Sequence, residues 1–97
     1  MLKHFVIFTF EKDFLKDEHV EEYTRAFEII KEAFDGVLDV HVRRNCIERP
    51  ANMDLMVEID LSGTDILTLY LNHPEHVRMG NKYNPHVTAR VSFDYEY

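Results

Sequence analysis

The sequence contains few of the residues on which several large functional classes depend. Its 97 residues include one cysteine, Cys46, and three glycines. A single cysteine excludes an intramolecular disulfide and favours a reducing compartment over a secreted protein. The chain also has no glycine-rich phosphate loop, nucleophile elbow or cysteine-rich metal motif. We therefore expect no nucleotide-dependent chemistry, no cofactor and no bound metal.

Signals for export, membrane insertion and nucleic-acid binding are also missing. The chain starts with Met-Leu-Lys-His and enters an alternating apolar segment at once, unlike a signal peptide. No window approaches the roughly eighteen apolar residues of a membrane span. Eighteen acidic and eleven basic residues give a formal charge of −7, which repels phosphate backbones. We expect one cytoplasmic domain over residues 1–97, with no membrane or nucleic-acid partner.

The first half of the chain predicts a strand, a helix and a second strand. Residues 2–10, LKHFVIFTF, alternate as a strand does, and both faces carry large apolar side chains. Apolar residues then recur three or four apart over residues 17–34, which indicates an amphipathic helix capped by Asp17 and ended by Gly36. Residues 37–43 alternate again. One face of this strand is expected to hold Leu38, Val40 and Val42.

The second half predicts a strand, two short helices in tandem and a final strand. Residues 53–61 alternate and form a hairpin with the preceding strand. Residues 66–71 follow a Ser-Gly-Thr-Asp helix start, and His73-Pro74 begins another helix, because proline suits a first helical position. Asn84-Pro85 ends that helix, and residues 87–95 alternate to the end. The order is strand, helix, strand, strand, helical pair, strand.

This order predicts an α+β fold of the ferredoxin-like, split βαβ type. Both helical layers would cover one face of a four-stranded antiparallel sheet, which leaves the other face open. Phe5 and Ile7 would then lie in water, at a cost of about 1.5–3 kcal/mol each. A second copy of the chain would remove that cost. We expect a homodimer in which two sheets pack face to face as a dimeric α/β barrel with the helices outside.

Three segments carry a resemblance to a known family. LKHFVIFTF at the start, LYLNHPEHV around residue 70 and SFDYEY at the end resemble the stress-responsive A/B barrel, or Dabb, family. The most specific of them is HPEHV, residues 73–77, in combination with His4 and with Phe-Asp-Tyr at residues 93–95. The resemblance implies a homodimeric barrel and, for many members, no established biochemical role beyond an association with stress.

The same resemblance implies candidate catalytic and binding residues. His76, Tyr70 and His4 stand at positions similar to those that a plant polyketide cyclase of this fold uses or places in its pocket. The matching positions that line the pocket are Tyr23, Thr24, Phe27, Val40, Val57 and Ile59, with Met79 where that enzyme has an aromatic residue. Arg90 and Ser92 align with apolar pocket positions, which would make the cavity more polar if the strand keeps its register.

Three functions fit these residues. The preferred hypothesis is a homodimer that binds a small, partly apolar organic molecule between sheet and helices. A second is a cofactor-free cyclase or isomerase, in which His76 removes a proton from carbon while Tyr70 stabilises the enolate oxygen. A third is a structural, stress-associated oligomer whose histidines are hydrogen-bonded core residues. His73 and His76 also have metal-ligand spacing, but a helix-terminus role for His73 is the stronger interpretation.

Overall fold

The computed structural model describes residues 1–97 and contains four strands and three α-helices. The strands are β1 (Leu2–Phe10), β2 (Val37–Arg44), β3 (Leu55–Leu61) and β4 (Val87–Glu96), and the helices are α1 (Asp17–Ala33), α2 (Thr64–Asn72) and α3 (Pro74–Tyr83). A 3₁₀ turn over Asn84–His86 connects α3 to β4, where proline removes a backbone donor. None of the helices is long and apolar enough to cross a membrane.

The strands form one antiparallel sheet in the order β2-β3-β1-β4, so the predicted ferredoxin-like fold is confirmed. Strand β3 shows why the helices collect on one face, because its side chains alternate between buried and half-buried positions along its length. Leu55, Val57, Ile59 and Leu61 are all almost fully buried. Helix α1 covers them with a stripe of four buried residues at helical spacing, which are Tyr23, Ala26, Phe27 and Ile30.

Two local predictions were wrong at the ends of α1. The N-cap is Lys16 rather than Asp17, and the backbone N–H of Lys16 donates to Nδ1 of His19 at 3.0 Å. Asp17 instead lies in the first turn, where its carboxylate accepts from Arg44 at 2.6 Å. The helix ends at Ala33 with Phe34 as its C-cap, and Gly36 is needed instead for close packing: a Cβ there would lie 2.5 Å from Cγ1 of Ile66.

The predicted face of β2 was also partly wrong. Val40 and Val42 pack against the core as expected, but Leu38 is 42% exposed. The register explains the difference, because Val37 pairs with Leu61 while Asp39 pairs with Asp60, the very next residue along β3. One extra residue on β2 therefore forms a bulge, which shifts the alternation and moves Leu38 out of the core.

Strand β4 separates two kinds of side chain onto the two faces of the sheet. Its pairing with β1 places Arg90, Ser92 and Asp94 on the helix side. Val91, Phe93 and Tyr95 lie on the opposite side, where they are 53%, 66% and 41% exposed. We call this second surface the open face; it also includes Phe5, which stacks on Tyr95 at a ring separation of 6.1 Å.

Candidate functional site

A cavity of about 360 Å³ lies between the helix side of the sheet and the three helices. This volume is in the range of small-molecule pockets in proteins. Most of its wall is apolar or aromatic, and its polar groups come from β1, β4 and the two short helices. The lining residues are His4, Val6, Phe8, Tyr23, Phe27, Val57, Leu67, Tyr70, Leu71, His76, Met79, Gly80, Asn84, Arg90, Ser92 and Asp94.

His4 supplies the buried polar group at the sheet side of the cavity. Its ring is only 6% exposed, and its Nδ1 is hydrogen-bonded to the carboxylate of Asp94, the residue directly opposite it on β4. A carboxylate only accepts, so Nδ1 carries the proton in this bond. Nε2, on the other side of the ring, is buried without any hydrogen-bond partner in the protein. The site therefore presents one unsatisfied nitrogen.

Tyr70 lies between the two cavity histidines. Helix α2 holds its side chain at 1% exposure, with its ring edge-on to His4 at 5.8 Å and to His76 at 4.9 Å. Burial alone raises the pKa of Tyr70 well above its ordinary value, and no hydrogen bond to its hydroxyl opposes that shift. The hydroxyl therefore remains protonated at neutral pH and can donate to a ligand.

The start of α3 positions His76. His73 is the N-cap, its Nδ1 accepts from the backbone N–H of Glu75 at 3.0 Å, and Pro74 takes the first helical position. The helix-terminus interpretation of His73 is thus confirmed. His76, one turn further on, contacts Phe27 and Tyr70 through its ring. Its pKa is lowered by burial first and by the nearby His4 second, against a smaller opposing effect of the Leu71 carbonyl.

The structure brings most of the sequence-predicted site residues together. His4, Tyr70 and His76 all line the cavity, as do Tyr23, Phe27, Val57 and Met79. Arg90 and Ser92 also line the cavity. Strand β4 therefore has the register that was expected to make the cavity more polar.

Thr24, Val40 and Ile59 do not line the cavity. Thr24 uses its hydroxyl to donate to the Val20 carbonyl at 2.9 Å, within α1. Ile59 is completely buried in the core, and Val40 packs against that core from β2. The structure therefore does not place these three residues in the cavity.

Sequence reasoning missed several lining residues, of which Asp94 matters most for the site. The alternation of residues along β1 and β4 could have identified these positions. Val6 and Phe8 share a face with His4 by simple alternation along β1, and Asp94 shares one with Arg90 and Ser92 along β4. No group of three or more histidine, cysteine, aspartate or glutamate side chains lies together in a way that could hold a metal ion.

The sequence over residues 2–97 matches the model of the Dabb family, the stress responsive A/B barrel domain. The chain belongs to the Dabb family. Since the match extends over almost the whole chain, the family assignment covers every element of the fold and every residue of the cavity. No curated protein matches this Dabb chain at a significant level.

Solved structures show the same fold at low sequence identity. A dimeric ferredoxin-like protein of unknown function from Thermobifida fusca YX has a TM-score of 0.81 at 22% identity, over 99% of this Dabb chain and 90% of its own. A dimeric protein of unknown function from Bacteroides fragilis NCTC 9343 has a TM-score of 0.79 at 23% identity, and the match covers 99% of this chain and 95% of that protein. The hydroxynitrile lyase of Passiflora edulis has a TM-score of 0.74 at 9% identity, and the match covers 97% of this chain and 90% of the enzyme. These neighbours support the fold and are consistent with self-association.

Proposed function

We propose that this Dabb protein is a homodimer that binds a small, partly apolar organic molecule in the cavity between sheet and helices. The cavity has the size of a small-molecule pocket and an apolar wall with a few polar groups, which is the usual composition of such sites. A cytoplasmic location is part of the proposal, because the exposed, unpaired thiol of Cys46 is suited to a reducing compartment.

The observation that carries the binding proposal is the unsatisfied Nε2 of His4. A buried polar atom without a partner costs about 1–3 kcal/mol, and proteins rarely retain one without a use for it. A hydroxyl on a ligand would satisfy it, because a hydroxyl can both donate and accept a hydrogen bond. The purely structural hypothesis expects a filled core and fully paired histidines, so both the cavity and this nitrogen count against it.

Dimerisation is supported by the open face. Large apolar side chains on β1 and β4 lie there uncovered, and a second sheet packed on them would remove them from water. The two bacterial relatives described above are themselves dimeric and share the fold. The proposed partner is therefore a second copy of the chain.

Binding can be tested with a neutral aryl ketone, 4-phenylbutan-2-one, titrated into isotopically labelled protein. We expect amide resonances of the lining residues to shift and to saturate. Met79→Trp should abolish the shifts, because the larger side chain fills the cavity. Val77→Trp is the matched control, since Val77 lies on the same helix but is 47% exposed outside the cavity. Equal binding by both folded variants would refute the cavity as the site.

A second candidate function, enolisation of a ketone, is favoured by the pair His76 and Tyr70. The neutral His76 ring can take a proton from the carbon next to a carbonyl, and the electrons of that C–H bond move to form an enolate. The protonated Tyr70 hydroxyl can donate to the enolate oxygen. In an unsaturated ketone, returning the proton to the far carbon of the conjugated system isomerises the substrate. Attack of the enolate on a second carbonyl of the same molecule closes a ring, and the alkoxide formed takes the proton back from His76. The structurally similar hydroxynitrile lyase indicates that this fold can support lyase chemistry.

Enolisation predicts that the protein accelerates exchange of the ketone's α-protons with deuterated solvent. His76→Ala should lose this acceleration, whereas His73→Asn, which keeps a helix-capping side chain outside the cavity, should retain it. Because the lowered pKa keeps His76 neutral, the rate should be level around neutral pH and should fall only below the ordinary histidine value of 6.5. Exchange that is unchanged in His76→Ala would exclude His76 as the base.

A further inference from the structure

Arg90 is the only lysine or arginine that lines the cavity. It lies on β4 opposite Phe8, on the side of the sheet that faces the helices. The carboxylate nearest along the strand, Asp94, is already bound to His4, and no carboxylate of the chain lies within ion-pair distance of the Arg90 guanidinium. Arg90 is an exposed residue, and among the lysines and arginines without an acidic partner it is the one that lies at the cavity wall.

The groups around Arg90 also suit an anion. Ser92 is two residues further along the same face, so the Cα atoms of the two residues are about 7 Å apart, a spacing that one carboxylate and its hydrogen bonds can bridge. Guanidinium groups bind carboxylates through paired, charge-assisted hydrogen bonds. Asp94 is the one carboxylate on the cavity wall and is hydrogen-bonded to His4, while the protonated Tyr70 hydroxyl across the cavity can donate to an acid.

The opposite wall is suited to an apolar body. Tyr23, Phe27 and Met79 are each at most 4% exposed, and together they present two aromatic rings and a thioether to the cavity. Aromatic and thioether side chains pack well against aryl groups. The cavity therefore presents a guanidinium, a hydroxyl and the His4-bound carboxylate of Asp94 along β4, and an apolar surface formed by Tyr23, Phe27 and Met79.

We infer that the natural ligand is a small organic acid, whose carboxylate binds Arg90 and Ser92 and whose aryl or alkyl part lies against Tyr23, Phe27 and Met79. This inference rests on the proposed binding function and specifies the chemical class of ligand.

The test compares two ligands of the same shape, 3-phenylpropanoate and its neutral amide, by calorimetry or by resonance shifts. In the unaltered protein the acid should bind about tenfold more tightly than the amide at low salt, and added salt should reduce that preference. Arg90→Gln should make the two affinities equal. Arg25→Gln, at an exposed arginine on α1, is the matched control and should keep the preference. Arg90→Lys should restore part of it.

The outcomes separate this inference from the binding proposal. If acid and amide bind the cavity equally in the unaltered protein, or if the preference survives in Arg90→Gln, the ligand need not be an acid and the inference is wrong, while the cavity remains a binding site. If neither of these ligands nor 4-phenylbutan-2-one shifts any lining residue, both the inference and the binding proposal are wrong.

Discussion

At the scale of single residues, two buried tyrosines differ in whether their hydroxyl groups are hydrogen-bonded within the protein. Tyr70 and Tyr83 are both 1% exposed. The hydroxyl of Tyr83 donates to the carboxylate of Glu22, whereas burial without any hydrogen bond is what raises the pKa of Tyr70. The Tyr83 hydroxyl therefore supports the fold, and the Tyr70 hydroxyl has no hydrogen-bond partner in the protein.

Removing the two hydroxyl groups should affect the free energy of unfolding to different extents. Tyr83→Phe should lower the free energy of unfolding by about 1–3 kcal/mol, since it breaks a buried, charge-assisted hydrogen bond. Tyr70→Phe should change it by less than about 0.5 kcal/mol, because no protein hydrogen bond is lost. Urea denaturation of the two variants measures both values. A large loss of stability in Tyr70→Phe would mean that its hydroxyl has a structural partner.

At the scale of elements, α1 and α3 are joined by one acidic side chain. The carboxylate of Glu22 accepts from Arg78 at 2.9 Å, from Lys82 at 2.7 Å and from the hydroxyl of Tyr83. These hydrogen bonds, that of Lys82 first, lower the pKa of Glu22 to about 2. Because α1 and α3 also form two walls of the cavity, this cluster helps to fix the width of the cavity.

The Glu22 cluster should make stability depend on pH in the acid range. The folded pKa of about 2 lies below the ordinary value of 4.5, so the contribution of Glu22 is complete above about pH 5 and is lost as the pH falls towards 2. After allowance for solvent screening the loss is on the order of 2 kcal/mol. Glu22→Gln should therefore flatten the unfolding free energy over this range, as measured by thermal melts between pH 5 and pH 2. An unchanged slope would show that other carboxylates control acid unfolding.

The elements were predictable because their residues repeat with the periods of strands and helices, and the same periods indicated which face of each element is apolar. Local irregularities in a strand or at a helix end could not be predicted from these periods. The bulge at Leu38 depends on pairing with β3, and the Lys16 cap depends on how the chain leaves β1.

The sequence identified only part of the site, because alternation along a strand does not show where a cavity lies. Val57 and Ile59 share a face of β3, yet only Val57 lines the cavity. Alternation identifies a face of the sheet. The position of the cavity beneath the helices depends instead on where the helices cross the sheet, and the tertiary structure is needed to see this.

At the scale of the whole molecule, the open face is the largest feature that the monomer leaves unexplained. Phe93 at 66% and Val91 at 53% exposure lie side by side with the half-buried Phe5 and Ile7 of β1. Apolar patches of this kind on a folded chain mark interaction surfaces. Charged groups border the patch towards β3, where Lys3 pairs with Glu58 at 2.9 Å and with Asp60 at 2.8 Å.

Placing a charge at the centre of the open face should therefore prevent self-association. Phe93→Glu is expected to weaken the dimer by more than about 2 kcal/mol, roughly thirtyfold in dissociation constant, because a carboxylate would be buried without a partner. Leu69→Glu, at a 50% exposed leucine on α2, should leave association unchanged. Analytical ultracentrifugation of both variants distinguishes these results. If Phe93→Glu remains fully dimeric, another surface must hold the two copies together.

Strand β4 carries the cavity wall on one side and the open face on the other, and it lies at the edge of the sheet with β1 as its only neighbour. A second copy that packs on Val91 and Phe93 would restrict the motion of the β4 backbone, which also carries Arg90 and Ser92. Association and ligand binding then share one free energy of coupling, and each must strengthen the other by the same factor. The apparent affinity for a ligand would rise with protein concentration, so the abundance of the chain would itself act as a regulator of binding.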